Sequence, residues 1–140
     1  MPRDNLDKSM PKTDIKFTDN PLTAEDPKRY LRIEVRVSEV VKSWRDSIFS
    51  FEWLHPDGHI KAYEELTESE QQKRAAVDEL LEKGQPIPLP ILGIGIMDNI
   101  EIGVGRAEFL TLAAQGIKIM PVHIPKSNET DFKPFRTDIK

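Results

Sequence analysis

The chain has 140 residues, no cysteine and a formal net charge of −4, a length that supports one conventional hydrophobic core. The lack of cysteine excludes disulfides, zinc–thiolate sites and thiol nucleophiles. The acidic balance, with pI about 5.4, argues against a protein that coats DNA, because non-specific affinity of that kind comes from many neutralised phosphates. No apolar run reaches the about 18 residues of a membrane span. Met1-Pro2-Arg3-Asp4-Asn5 also lacks the apolar segment of a signal peptide, so a cytoplasmic protein with no membrane partner is expected.

Residues 1–28 read as a flexible polar arm, charged and interrupted by prolines. From Tyr30 the pattern becomes ordered. Leu31, Ile33, Val35 and Val37 alternate with Arg32, Glu34 and Arg36, the period of a half-buried strand. Val37, Val40, Val41 and Trp44 then fall at helical spacing, with Ser38 available as N-cap. Phe49, Phe51 and Trp53 predict a strand over Ile48–Leu54. His55-Pro56-Asp57-Gly58-His59 predicts a turn, and Ile60–Tyr63 a short returning strand. Thr67-Glu68-Ser69-Glu70 has the form of a capping box, with Glu70 reaching back to Thr67. The helix it opens carries Ala76, Val77, Leu80 and Leu81 on one side and stops at Gly84. Pro86, Pro88 and Pro90 stiffen the approach to two strands, Ile91–Ile96 and Ile100–Val104, joined through Asp98-Asn99. Phe109, Leu112 and Ala113 mark a last helix that ends at Gly116, and Lys118–Ile124 is a last strand. Pro125–Lys140 is a polar, proline-broken tail that Phe132 and Phe135 could clip to the body.

The segment with most chemical content is Gly103-Val104-Gly105-Arg106-Ala107-Glu108, where a strand hands the chain to a helix. Free N–H groups and the positive end of the helix dipole meet there, which suits an anion such as phosphate. Arg106 in a first turn opposes the dipole, and a bound anion would remove that conflict. The same residues also read as glycines serving a turn beside an exposed arginine. Gly93-Ile94-Gly95 is a weaker nucleotide-loop candidate, because a dinucleotide loop needs its glycines at a strand-to-helix turn and a hairpin is expected here. His55 and His59 are spaced as metal ligands would be on a helix, but Pro56-Asp57-Gly58 forbids the helix. His123 reads as a packed core histidine. Ser69 and Ser127 lack a partner base in sequence. Asp98, Glu101 and Glu108 surround the loop and could hold Mg²⁺ against a phosphate.

Pro90–Pro125 resembles the ParB/sulfiredoxin-like superfamily, the nuclease-like domain at the front of chromosome-partition ParB proteins. The resemblance rests on Pro90-Ile91-Leu92, then Val104-Gly105-Arg106-Ala107-Glu108-Phe109, then Gly116, then Met120-Pro121-Val122. With the preceding helix it covers Thr67 to Ile124, about half the chain. It implies an α+β fold, a small mixed sheet with packed helices over residues 29–125. In the gapless register the family's loop Asp falls at Val104, its His at Ala107 and its second Arg at Glu108, so only Arg106 remains as a cation. A register that pairs Gly103 with the family glycine needs two extra residues before Gly116. Sulfiredoxin chemistry is ruled out without a cysteine.

The expectation is therefore a non-catalytic regulatory or interaction protein with a degenerate phosphate loop formed by Gly103, Gly105, Arg106 and Glu108. The resemblance implies a setting in plasmid or phage DNA maintenance or transfer control, with a nucleotide or a protein as partner. The alternative is a Mg²⁺-dependent nucleotide triphosphatase or nuclease, with Arg106 on the phosphate and the metal held by Asp98, Glu101 or Glu108. A third reading, weak and salt-sensitive DNA binding, would use Lys126, Lys133, Arg136 and Lys140.

Overall fold

A computed structural model describes residues 15–138, and the chain is already packed before Tyr30. Strand β1 (Phe17–Thr18) pairs in parallel with β3 (Ile87–Pro88) in a two-stranded sheet. Buried Asn20 ties this entry segment down. Its amide donates to Leu89 O at 2.9 Å, its backbone N–H to His123 Nε2 at 3.1 Å, and its Oδ1 caps the turn that begins at Pro21. The arm expected over residues 1–28 is thus docked over its described part; residues 1–14 lie outside the described residues.

Apolar alternation produces β2 (Tyr30–Arg36), with Ile33 and Val35 buried and Arg32, Glu34 and Arg36 exposed. The chain continues directly into α1 (Val37–Trp44), which turns Val37, Val40 and Trp44 inward. Ser38 is not the cap. It lies inside the first turn, and Arg36 occupies the cap position without a side-chain bond. The Val37 N–H donates to Lys118 O at 2.9 Å, so tertiary contact satisfies one of the first-turn donors that have no partner within the helix.

The expected strand Ile48–Leu54 is replaced by successive turns, including a short 3₁₀ segment at Ser50–Glu52. Two serines compete with the extended chain. Ser47 Oγ accepts from the Phe49 N–H at 3.1 Å, and Ser50 Oγ donates to Arg45 O at 3.0 Å. The apparent alternation therefore separates: Trp53 is buried, while Phe49 and Phe51 are exposed. The turn at His55–His59 forms as expected, but Ile60–Tyr63 contributes only an isolated bridge from Ile60 to Leu54.

Helix α2 (Glu68–Glu82) is capped by Thr67, whose Oγ1 accepts from the Glu70 N–H at 3.4 Å. The reciprocal half of the box is absent. Glu70 is buried, accepts from Trp53 Nε1 at 2.8 Å and pairs with Lys73. Val77 is buried on the inner face with Leu80 and Leu81 half-buried behind it, whereas Ala76 is exposed.

Four strands make the main sheet, in the order β2-β6-β4-β5, with β4 (Ile91–Ile94), β5 (Ile100–Val104) and β6 (Ile119–Pro125). β4 and β5 form the antiparallel hairpin, β6 runs parallel to β4, and β2 closes the far edge antiparallel to β6. β4 ends at Ile94, short of Ile96, because Gly95 already begins the turn. Helix α3 (Arg106–Ala114) links β5 to β6. Ala107, Phe109, Leu110, Thr111 and Leu112 are buried, because the helix packs on α2 and its apolar residues share one core cluster with those of the sheet. The result is a small α+β domain of mixed strand direction. The tail also returns to the body. Phe132 is fully buried, and Arg136 bridges to Val35 while the Thr137 N–H donates to Glu34 O. No helix among the described residues is long and apolar enough to cross a membrane.

Candidate functional site at the β5–α3 turn

The two loop glycines have separate tasks. Gly103 lies inside β5, whereas Gly105 caps α3 with φ at 84°. A Cβ on Gly105 would stand 2.9 Å from Pro90 Cα, so both its conformation and its neighbour require glycine. This close approach fixes the turn against the start of β4 and aims Arg106 from the first position of the helix.

Arg106 does not reach into solvent. Its Nη1 donates to Glu52 Oε1 at 2.7 Å, and its guanidinium lies 5.5 Å from the Trp44 ring centroid and 5.2 Å from that of Phe49. Both partners of the ion pair are about one-third exposed or less. The pair is single rather than bidentate, and Arg106 Nε is buried without an acceptor in the protein. The charge that the sequence offers to an anion is already engaged by a carboxylate within the chain.

Glu108 stands in the first turn of α3, where a carboxylate complements the dipole. It borders a cleft of about 480 Å³ between α2 and the loop, together with Gly103, Gly105, Arg106 and Lys73. Lys73 is paired with Glu70 at 3.3 Å. The expected site residues therefore do meet at one cleft, but its two cations are each paired with a glutamate.

The acids proposed for a metal are dispersed in purpose. Asp98 holds the corner of the hairpin with φ at 60°. Glu101 accepts from Ser47 Oγ at 2.7 Å and from Asn99 Nδ2 at 3.1 Å. Among the described residues no cluster of three or more His, Asp or Glu is placed to hold a metal ion. His55 pairs with Glu65 at 3.0 Å and His59 with Asp57 at 2.9 Å, each histidine beside its own acid. In the tail, Arg136 is held by Asp138 and Glu129, so it is not a free cation for DNA, and Lys140 lies outside the described residues.

His123 is buried in β6, as its apolar strand implies. Burial pushes its pKa down, partly opposed by Asp19. Its Nε2 accepts from the Asn20 N–H, which requires the unprotonated nitrogen.

Sequence reasoning missed Glu52, the partner of Arg106, because the segment containing it read as a strand. It also missed a cluster of exposed apolar residues at Ile48, Phe49, Ile96 and Met97. The signal available was the hairpin tip itself, where Ile96 and Met97 occupy turn positions that apolar residues seldom fill. A hollow of about 820 Å³ also went unforeseen. It lies between α1 and the α3–β6 connection and is bordered by Arg36, Lys42, Arg45 and Lys118.

Comparison of the chain with protein-family models, curated proteins and solved structures finds no match.

Proposed function

We propose that this chain is a non-catalytic regulatory or interaction protein in which a ParB-like phosphate loop has become structural. The observation that carries this reading is the ion pair of Arg106 with Glu52 at 2.7 Å. A phosphate at the loop would have to displace a carboxylate from the guanidinium while approaching Glu108, a second negative charge. Phosphoryl chemistry needs preorganised positive charge, and one lost donor costs about 10²–10³-fold in rate. The resemblance to the ParB/sulfiredoxin-like superfamily supports a role in DNA maintenance or transfer control of a plasmid or phage, exercised through a protein partner.

The test is a thermal-shift series with ATP, CTP and GTP, each with and without Mg²⁺, alongside a phosphate-release assay. A nucleotide at 100 times its dissociation constant would add about 2.7 kcal/mol of stability. Neither stabilisation nor release is expected, and Arg106→Ala should leave no turnover to lose. The cleft beside Gly103, Gly105 and Lys73 favours one other reading, a Mg²⁺-dependent nucleotide triphosphatase or nuclease. Hydrolysis that disappears in Arg106→Ala or Glu108→Gln would establish it and overturn the first.

A further inference from the structure

Ile48, Phe49, Ile96 and Met97 are 78, 45, 100 and 73% exposed, and all four line a single cavity of about 630 Å³. They come from two loops far apart in sequence, the turns after α1 and the tip of the β4–β5 hairpin. Scattered exposed apolar residues are ordinary, but four large ones around one hollow form a patch of the kind that interaction surfaces use.

The support beneath them is built. Buried Ser47 donates to Glu101 Oε1 at 2.7 Å and accepts from the Phe49 N–H, so the first loop is fastened to β5. Buried Asn99 donates to Glu101 Oε2 at 3.1 Å, fastening the hairpin tip to the same carboxylate. Gly95 lets the tip close down: a Cβ there would stand 2.9 Å from Glu101 Cγ. Phe49 is further held against the Arg106 guanidinium at 5.2 Å. Anchors on such fastened loops need little ordering when a partner docks.

The margin selects the occupant. Asp46 and Glu101 line the hollow, Asp98 stands at the hairpin corner, and the one cation lining it, Arg106, is neutralised by Glu52. A second copy of this chain would bring acidic margins together, and an anionic lipid surface would be repelled in the same way.

We infer that this platform docks a segment of a partner protein with apolar anchors flanked by lysine or arginine. The inference rests on the interaction-protein reading and names the chemistry of the partner. Its test uses the full chain, isotope-labelled for NMR, and two synthetic helical peptides with the same leucine and phenylalanine anchors. One peptide is flanked by lysine and arginine, the other by glutamate. The basic peptide should shift the amides of Ile48, Phe49, Ile96 and Met97 and bind at least about tenfold more tightly than the acidic one. Ile96→Ser with Met97→Ser should weaken it by about tenfold or more without changing the melting temperature, and Asp46→Asn with Asp98→Asn should narrow the preference between the peptides. Equal binding of both peptides, or no shift from either at millimolar concentration, overturns the proposal. A dimer that Ile96→Ser with Met97→Ser dissolves reassigns the platform to a second copy. Sedimentation with phosphatidylglycerol vesicles reassigns it to a membrane. Platform shifts that move in the full chain carrying Leu6→Ser and Met10→Ser reassign it to the chain's own first residues. Indifference to the peptides leaves the non-catalytic reading standing, whereas nucleotide hydrolysis overturns that reading whatever the peptides do.

Discussion

Arg106 borders two hollows, and they differ in how their chemistry is used. On the α2 side, the loop that reads as a phosphate site has its cations paired internally, Arg106 with Glu52 and Lys73 with Glu70. On the hairpin side, four large apolar side chains have no cover within the described chain, although the loops bearing them are tied down by a buried polar network. The charged motif is thus paired within the chain, whereas the neighbouring apolar surface stays open among the described residues. The contrast can be broken in either direction: by showing that the loop still holds an anion, or that the platform is needed for stability.

The largest expected effect lies beneath the loop. Phe109 is fully buried at the start of α3, and Phe109→Ala should lower stability by about 3–5 kcal/mol in urea denaturation. An unchanged midpoint would mean that α3 does not carry the core beneath the loop. A smaller effect is expected at His123. Burial depresses its folded pKa, so the native state holds it neutral and its contribution is complete above the ordinary histidine value of about 6.5. That contribution is lost as pH falls through this range towards the folded value, because the unfolded chain then binds the extra proton. Between about pH 7.5 and about pH 5.5 the wild type should lose more stability than His123→Gln. Equal losses would remove His123 from the account and leave the docking of the Asn20 segment independent of pH. The smallest effect is expected on the platform: Ile96→Ser with Met97→Ser should change stability by less than about 0.5 kcal/mol. A larger loss would make these residues part of the core and end the contrast.

Much of the sheet was legible because its residues obey local rules. The alternation in β2, the hairpin turn at Asp98-Asn99, and the glycine before Arg106 each specify their own geometry. Phe109 could be placed in the core for the same reason. The capping box was half legible: Thr67 caps α2, but Glu70 has a stronger claim from buried Trp53, which no local pattern encodes. The region from Ser47 to Leu54 misled because the alternation of Phe49, Phe51 and Trp53 is also what a series of turns can produce. Its serines decided the matter through hydrogen bonds to nearby backbone. That Gly103, Gly105, Arg106 and Glu108 border one cleft follows from their closeness in sequence around a strand-to-helix turn. The chemistry of that cleft was not legible, since the partner of Arg106 lies 54 residues away in that misread segment. The entry segment escaped for a similar reason: its anchor, Asn20, acts on Leu89 and His123 from far along the chain.

The central claim is that Arg106 serves the fold through Glu52 rather than a ligand. The direct measurement is a double-mutant cycle in urea denaturation with Arg106→Ala, Glu52→Ala and the double variant. A partly buried pair with stacked aromatic neighbours predicts a coupling of about 1–2 kcal/mol, with both single variants destabilised. Coupling indistinguishable from zero, with Arg106→Ala as stable as the wild type, would contradict the account and return Arg106 to the candidates for holding an anion.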